Sequence, residues 1–270
     1  MGSVARLSGL YVYPIKSCGG VALDVADLDE RGIRHDRRWM LVDEDGKFVS
    51  QRTFPRLALV RVRIQKDALL VDAPGAPTLE VPFDSGDRGT FTARVWGDAV
   101  EVAPVGEGAS RWFSKLLGGS CRLVYLPDES IRPVDQQYGR SGNHVTLADG
   151  FPLLLISEAS LEDLNGRMEH PLPMDRFRPN LVVSGCGPFA EDGWRRARIG
   201  TVDFRVVKPC ARCKIPTINQ MTATASKEPL RTLARYRKFG SKVLFGQNLI
   251  HDTAGTLRLG DTVEVIEDSA

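Results

Sequence analysis

The chain has 270 residues, of which 42% are hydrophobic and 26% are charged, and its 36 Lys and Arg residues nearly balance its 34 Asp and Glu residues. This composition predicts a folded globular protein with one large or two ordinary domains, and it excludes a disordered chain. A net charge of +2 gives no reason to expect a nucleic acid partner. The longest apolar run, Phe151–Ile156, is far shorter than the roughly 20 residues of a membrane-spanning helix, and Met1–Leu10 lacks the apolar core of a signal peptide. We therefore expect neither a membrane partner nor secretion.

Five cysteines are spread along the chain, and only two of them lie close together: Cys18, Cys121, Cys186, Cys210 and Cys213. An odd number of cysteines without a secretory signal is typical of a reducing compartment. We predict a cytoplasmic protein whose cysteines are buried, metal-binding or catalytic rather than joined in disulfides.

Two β-hairpins are predicted in the first half of the chain from strand-like segments around glycine turns: Arg38–Ser50 and Phe91–Pro104. Between them, Leu57–Ile64 alternates apolar and basic residues, as a strand with one solvent-exposed face would. Apolar residues at helical spacing predict a helix over Ser110–Leu117, which the two glycines after it can end.

The second half begins with a polar, turn-rich connection over Pro127–Gly150, and a connection of this length is more often functional than idle. A capping serine predicts a helix over Ser157–Met168, and leucine spacing predicts another over Ser226–Lys238. Two further hairpins are predicted around glycine turns: Arg198–Val207 and Leu257–Ile266.

Many short strands and few helices predict a β-rich α+β protein built on a barrel or a sandwich. The predicted helix before Cys121 ends where a new strand begins, so we place a domain boundary there. The two predicted domains are residues 1–121 and residues 122–268.

The sharpest chemical motif is the Cys210-Ala211-Arg212-Cys213 segment, which follows a predicted strand and lies among cations. Basic neighbours stabilise a thiolate, which is the form that binds soft metals or attacks electrophiles. Two ordinary thiols in a loop are the plain alternative. A zinc site is disfavoured because no second ligand pair accompanies the motif, and a thioredoxin-type pair is disfavoured because Pro216 and its β-branched neighbours oppose a helix here.

Three other segments place cations beside turns or strand ends: Tyr13–Gly20, His35–Trp39 and Asp175–Asn180. Lysine, arginine and glycine-exposed backbone amides are groups that recognise anions such as phosphate. Each segment alone also fits a plain turn or a solvated charged loop.

In chain order, these segments and several others resemble motifs of the MOSC family and of the β-barrel region that precedes a MOSC domain. The matching segments are Leu10–Cys18, Asp36–Trp39, Ser157–Leu161, Phe177–Asn180, Ser184–Cys186, Cys210–Cys213, Lys227–Leu230 and Phe245–Asn248. Each motif alone is weak, but their shared order is specific. The resemblance is strongest to the amidoxime-reducing branch of the family and covers nearly the whole chain.

The resemblance implies a MOSC β-barrel with an N-terminal β domain, peripheral helices, and a molybdenum cofactor in the cleft between the two domains. In this family a pterin dithiolene and one protein cysteine hold the molybdenum, and that cysteine corresponds to Cys213, the implied metal ligand and catalytic residue. The implied cofactor-binding residues are Lys16, Ser17, Arg37, Asp149, Gly150, Arg178, Asn180, Arg212 and Cys213. Cys186 matches another recurrent family cysteine, which we do not assign as a ligand.

The implied activity is that of a molybdenum-dependent oxidoreductase. Such an enzyme takes oxygen from an N-hydroxylated substrate (an amidoxime, a hydroxylamine or an N-hydroxylated base) and leaves the amine and water. No cysteine cluster follows Cys213. We therefore expect electrons to arrive from a separate protein of the ferredoxin, flavoprotein or cytochrome type.

Two other classes of function stay open. MOSC domains also end molybdenum cofactor sulfurases, so the chain could carry the cofactor or sulfur without reductase activity; the sequence lacks a pyridoxal-phosphate desulfurase domain, which disfavours that function. An inert binding module with an unreactive cysteine pair is the other alternative, and it should contain no stoichiometric molybdenum.

Overall fold

The computed structural model describes residues 4–84, 86 and 88–269, and in these residues strands dominate. The strands before the predicted boundary are β1 (Arg6–Val12), β2 (Val21–Ala22), β3 (Val25–Asp29), β4 (Gly32–Ile33), β5 (Trp39–Val42), β6 (Arg61–Ile64), β7 (Ala68–Asp72), β8 (Leu79–Pro82), β9 (Phe91–Val95) and β10 (Asp98–Pro104). The strands after it are β11 (Arg122–Tyr125), β12 (Leu153–Ser157), β13 (Leu181–Ser184), β14 (Trp194–Ile199), β15 (Val202–Ala211), β16 (Lys238–Phe239), β17 (Lys242–His251), β18 (Gly255–Arg258) and β19 (Val263–Asp268). The predicted β-rich α+β class is confirmed.

The described α-helices are α1 (Glu107–Leu117), α2 (Glu158–Gly166) and α3 (Leu230–Leu233), and short 3-10 turns occupy Pro55–Leu59, Met174–Arg176, Ala190–Asp192 and Ile215–Thr217. None of the helices in the described part of the chain has the length and apolarity needed to cross a lipid bilayer.

The largest sheet has the strand order β19-β14-β15-β17-β12-β13-β1-β2, with β16 added beside β17. Its neighbours are antiparallel except β12 and β13, which run parallel. Leu7 in β1 accepts a backbone hydrogen bond from Gly260 at 2.8 Å and donates one to Asp261 at 2.9 Å, just before β19. These bonds bring β1 close to the opposite end of the strand order, so the sheet curls into a barrel around buried residues such as Leu10, Leu155 and Phe204.

Three smaller sheets complete the fold, with the orders β5-β11-β10-β9, β18-β3-β4 and β6-β7-β8. A second core lies under α1, where Trp39, Leu57, Phe113 and Leu123 are almost completely buried in one cluster. Strands from both predicted domains share sheets, because β1 pairs with β13, β3 pairs with β18, and β5 pairs with β11.

The hairpins predicted at Phe91–Pro104 and Arg198–Val207 are confirmed as β9–β10 and β14–β15. The hairpin predicted at Leu257–Ile266 is wrong, because β18 pairs with β3 and β19 pairs with β14. The physical reason lies in the turn itself. Gly260 and Asp261 bond to β1, and the strands on either side diverge to separate partners.

The other local predictions hold only in part. Strand β5 takes β11 as its partner, and the Arg38–Ser50 segment retains an isolated bridge between Val42 and Phe48. The predicted strand over Leu57–Ile64 begins as a 3-10 turn, and the helix predicted over Ser226–Lys238 is reduced to the single turn α3. The first two helix predictions are confirmed, and Ser157 caps α2 by accepting a bond from the Ser160 amide.

Candidate functional site

A cleft lies where the first part of the chain meets the barrel, and it encloses about 790 Å³ of space continuous with solvent. A concave site between two parts of a fold is a common place for a small molecule or a cofactor to bind. Every predicted site residue lines this one cleft: Lys16, Ser17, Arg37, Asp149, Gly150, Arg178, Asn180, Arg212 and Cys213. The structure thus brings together side chains that lie far apart in the sequence, from Lys16 to Cys213. Their individual roles remain predictions.

Cys213 lies in the loop that joins the end of β15 to the 3-10 turn over residues 215–217. Two hydrogen bonds hold this 3-10 turn in place. Arg176 Nε donates to the Pro216 carbonyl at 2.8 Å, and the Thr217 hydroxyl donates to the Lys214 carbonyl at 2.7 Å. The thiol is free and partly exposed, and Arg52 Nη2 lies 3.4 Å from its sulfur. A fixed, accessible sulfur beside a guanidinium is suited to serve as a thiolate ligand.

The other free thiols differ in position. Cys210 lines the same cleft, and Arg212 Nη1 donates to its sulfur at 3.1 Å. Cys18 is completely buried, and burial raises the pKa of its thiol to about 12. Cys186 is not among the residues that line the cleft, and burial raises the pKa of its thiol as well. The predicted free thiols are confirmed for all five cysteines.

Three of the site residues have backbone conformations that are uncommon for residues other than glycine. The φ angles of Ser17, Arg37 and Arg178 are 70°, 46° and 57°. Left-handed φ values of this kind cluster at functional sites, because the surrounding structure must hold them in place. At this site both arginine side chains lie against one ring, since each guanidinium carbon is 4.3 Å from the centre of the Tyr13 ring.

A buried hydrogen-bond network fixes these cations. Arg37 Nη1 donates to Asp36 at 2.6 Å and to the Asn180 side-chain oxygen at 3.0 Å, while Arg178 Nη1 donates to the Cys18 carbonyl at 2.6 Å. The Asn180 amide in turn donates to Asp36 at 3.1 Å. Burial lowers the pKa of Arg178 and raises the pKa of Asp36 despite its Arg37 partner. The network therefore holds two guanidinium groups at the cleft, although burial there removes part of the water that would solvate their charge.

At the mouth of the cleft, Asp149 gathers donors from three different segments. Its carboxylate is 2.5 Å from Lys16 Nζ, 3.2 Å from Trp96 Nε1 and 3.4 Å from Arg52 Nη2. Burial alone would raise the pKa of Asp149, but the charge and hydrogen bond of Lys16, helped by Arg52, hold it well below its ordinary value. Burial lowers the pKa of Lys16, and Asp149 opposes that effect.

The long connection predicted to be functional supplies Ala148, Asp149 and Gly150 to the lining. Arg132, which is almost fully buried, holds this segment by donating to the Thr146 carbonyl at 2.7 Å and the Ala148 carbonyl at 2.6 Å. The same guanidinium is paired with Asp98 at 2.7 Å, on the β9–β10 hairpin. A residue of the connection thus ties the cleft loop to the first part of the chain.

Several residues of the site were missed by sequence reasoning: Arg52, Trp96, Arg132 and Asn248. Arg52 lies in a turn with no recognisable motif, and Trp96 lies in a hairpin turn, where a surface position is the usual expectation. Asn248 stood in a segment that matched the family, and this was the one available signal for it.

The cleft has donors without protein acceptors. Arg52 Nε and Arg212 Nε are buried and make no hydrogen bond in the described residues. Buried N–H groups are nearly always paired in folded proteins, so these two donors are available to an acceptor atom of a bound ligand or of water. The donor set of guanidiniums, a lysine and a soft thiol fits an anionic cofactor that carries a thiophilic metal.

Comparison with known proteins agrees with this chemistry. The MOSC N-terminal beta barrel domain matches residues 4–120, and the MOSC domain matches residues 142–264. Mitochondrial amidoxime-reducing component 1 of Mus musculus is 36% identical to this chain, over 97% of this chain and 83% of that protein. Mitochondrial amidoxime reducing component 2 of Bos taurus is 35% identical, over 96% and 83%. Molybdenum cofactor sulfurase of Danio rerio is 34% identical over 94% of this chain but only 33% of its own length.

Proposed function

Because this chain belongs to the MOSC family, in the branch that contains the mitochondrial amidoxime-reducing components, we propose that it is a molybdenum cofactor-dependent reductase of N-hydroxylated compounds. The observation that carries the proposal is the convergence of a free thiol, four arginines and a lysine on one cleft. Family membership alone supports a function linked to the molybdenum cofactor. Identity to amidoxime-reducing components over most of the chain supports the more specific reductase.

Different residues would bind different parts of the cofactor. The Cys213 sulfur would bind the metal, because it is a soft ligand held beside a cation in a partly exposed position. Cys210 shares these properties, so the choice of Cys213 follows the position of the ligand cysteine that the family resemblance implies. Arg37, Arg178 and Lys16 would bind the anionic and oxygen-rich parts of the cofactor, because their positions are fixed by buried contacts before any ligand binds. Arg212 Nε lies at the same cleft and has no partner in the described part of the chain, so a further acceptor atom could accept its hydrogen bond.

When bound, the cofactor would supply the two electrons that, with two protons, convert an N-hydroxylated compound into the amine and water. The chain contributes orientation and electrostatics. A cleft rich in fixed N–H donors lowers the cost of placing an oxygen-bearing group inside it, because those donors need no reorganisation when the group arrives. The electrons would come from a separate ferredoxin, flavoprotein or cytochrome, and we propose a cytoplasmic location.

One other candidate is favoured by a specific observation, the 34% identity to molybdenum cofactor sulfurase. In that case the cleft would hold the cofactor, or sulfur destined for it, without reducing a substrate. The two functions differ in what the loaded protein does when a chemical reductant is present.

The test is expression in a host that produces the cofactor, with molybdenum and pterin quantified together and benzamidoxime reduction assayed with a chemical electron donor. We expect near-stoichiometric molybdenum and turnover in the parent protein. Cys213→Ala should abolish turnover, and Cys186→Ser is the matched control that should retain it.

Reduction by Cys213→Ala at the parent rate would remove Cys213 from the mechanism. A fully loaded parent protein that reduces nothing and releases its cofactor readily would support the carrier function. A protein without molybdenum from a host shown to load another molybdenum enzyme would contradict both.

A further inference from the structure

Arg52 lies beside the Cys213 sulfur, a position that Lys16, Arg37 and Arg178 do not share. Its Nη2 atom lies 3.4 Å from the Cys213 sulfur and 3.4 Å from Asp149, and its guanidinium carbon lies 4.5 Å from the centre of the Trp96 ring. Contacts of this kind between a cation and an aromatic face fix the plane of the guanidinium. The Arg52 side chain is therefore held at the mouth of the cleft, beside the Cys213 sulfur.

The positive charge of Arg52 is only weakly neutralised. Asp149 is its acidic partner, but Lys16 approaches that carboxylate much more closely, at 2.5 Å against 3.4 Å. Arg52 Nε is buried and has no hydrogen-bond partner among residues 4–84, 86 and 88–269. Arg212, which precedes Cys213 in the chain, is engaged elsewhere, since it donates to the Cys210 sulfur and the Phe177 carbonyl.

We propose that Arg52 determines substrate specificity at this site, by favouring neutral and anionic substrates over cationic ones next to Cys213. This inference rests on the proposed reductase function for its substrate class. A fixed cation in a cleft with low-dielectric walls raises the local concentration of anions and lowers that of cations, and such steering changes rates by 10-fold or more. Trp96 and Asp149 act as positioning residues, because they hold the guanidinium in place.

The first test uses the cofactor-free protein and two alkylating reagents that attack the same thiolate, the anion iodoacetate and the neutral iodoacetamide. Their rate ratio at Cys213 reports the local potential, because the fraction of thiolate cancels. Rates at the other four thiols are subtracted with a Cys213→Ser variant. We expect Arg52→Gln to lower the iodoacetate-to-iodoacetamide ratio about tenfold, and Arg52→Lys, which keeps the charge, to lower it less than about threefold.

The control is Arg63→Gln, because Arg63 is an exposed arginine on β6 that pairs with Asp72. It should leave the ratio unchanged. An unchanged ratio in Arg52→Gln, or an equal loss in Arg52→Lys and Arg52→Gln, would overturn the electrostatic role.

The second test uses the cofactor-loaded enzyme and benzamidoximes that carry a para-carboxylate or a para-trimethylammonium group. We expect the parent kcat/KM to favour the carboxylate, and Arg52→Gln to reduce that preference about tenfold, with every rate expressed per molybdenum atom bound in the preparation. If the parent reduces both substrates and Arg52→Gln keeps the preference for the carboxylate, the proposed role of Arg52 is wrong and the proposed reductase function stands. If the loaded parent reduces neither, the proposed function fails, and the alkylation ratio still decides the role of Arg52.

Discussion

At the scale of single residues, the Asp149 carboxylate joins the two parts of the chain at the mouth of the cleft. Its bonds to Lys16 and Trp96 cross from the loop before β12 to the first part of the chain. The Lys16 side chain is only 7% exposed, while that of Asp149 is 58% exposed. The buried lysine therefore depends on this partner more than the aspartate does, because an unpaired buried cation is costly.

This asymmetry predicts a pH-dependent contribution to stability. The pKa of Asp149 is held below its ordinary value, mainly by Lys16 against the opposing effect of burial. A carboxyl whose folded-state pKa is depressed stabilises the protein above its unfolded pKa, near pH 4, and the contribution is lost as pH falls further. Asp149→Asn should therefore lower the free energy of unfolding by about 1 kcal/mol at pH 7, a value discounted for the exposure of the carboxylate.

Measurement requires thermal or urea unfolding of the cofactor-free parent and variant from pH 7 down to pH 3. The difference between them should shrink below about pH 4. Asp45→Asn, at an exposed position paired with Lys47, is the control that should show little difference at any pH. A gap between parent and Asp149→Asn that widens as pH falls would contradict the argument.

At the scale of elements, the strand β17 shows how close packing shapes the barrel wall beside the site. Gly246 in β17 has a φ of +78°, and a Cβ atom placed there would lie 2.6 Å from Ile156 Cγ1 and 2.9 Å from the Leu155 carbonyl oxygen. Both neighbours belong to β12, which pairs with β17. Glycine is required here by its backbone conformation and by the space together.

We predict that Gly246→Ala destabilises the protein by at least about 2 kcal/mol, from the left-handed conformation and the steric conflict combined. Molybdenum content should fall as well, because Asn248 in the same strand lines the cleft. The matched control is Gly108→Ala in α1, where no atom lies within 4 Å of the added Cβ. That change should leave the melting temperature unaltered or raise it slightly, since alanine favours a helix over glycine. Equal melting temperatures for Gly246→Ala and the parent would refute the packing argument.

The elements also show which features a sequence can predict. The hairpins β9–β10 and β14–β15 were predictable because each pairs neighbouring segments across a short turn, and turn chemistry is local. The pairings of β5 with β11 and of β3 with β18 join segments far apart in the chain, so no local pattern specifies them. Helix α3 is shorter than the predicted helix at both ends, and Lys238, the last predicted helical residue, belongs instead to β16, which pairs with β17.

The same distinction applies to the site. Lys16, Arg178 and Cys213 were predictable because each stands in a segment that resembles a family motif, whereas their residue types alone also fitted a plain turn, a charged loop or an ordinary thiol. Arg52 and Trp96 were not, because their importance arises only from contacts with Asp149 and Cys213, which the fold creates. Motifs in a sequence can therefore point to candidate site residues, but they miss residues whose contacts depend on the folded structure.

At the scale of the whole molecule, β1 decides whether the two predicted domains are independent. Residues 6–12 come from the first part of the chain, yet they pair with β13 in the largest sheet, and Leu7, Leu10 and Val12 are buried in its core. Burial of three such side chains contributes about 5–9 kcal/mol. That is comparable with the whole stability of an ordinary domain, about 5–15 kcal/mol.

We therefore predict that a fragment of residues 122–268 does not fold alone. Without β1, the inner faces of β12 and β13 would be uncovered and β13 would expose an unpaired edge, a combination that favours aggregation. Without β3, β18 would also lose the strand with which it forms its backbone hydrogen bonds. Circular dichroism during heating and amide dispersion in NMR spectra check the expectation, with a fragment of residues 4–268 as the control that should unfold like the full chain. Cooperative unfolding and dispersed amide signals for residues 122–268 would show instead that the boundary at residue 121 separates two folding units. The cleft would then be an interface formed when two folded domains dock. The shared sheet argues instead that the cleft forms together with the fold, because Lys16 and Arg37 lie in the segments that come after β1 and β4.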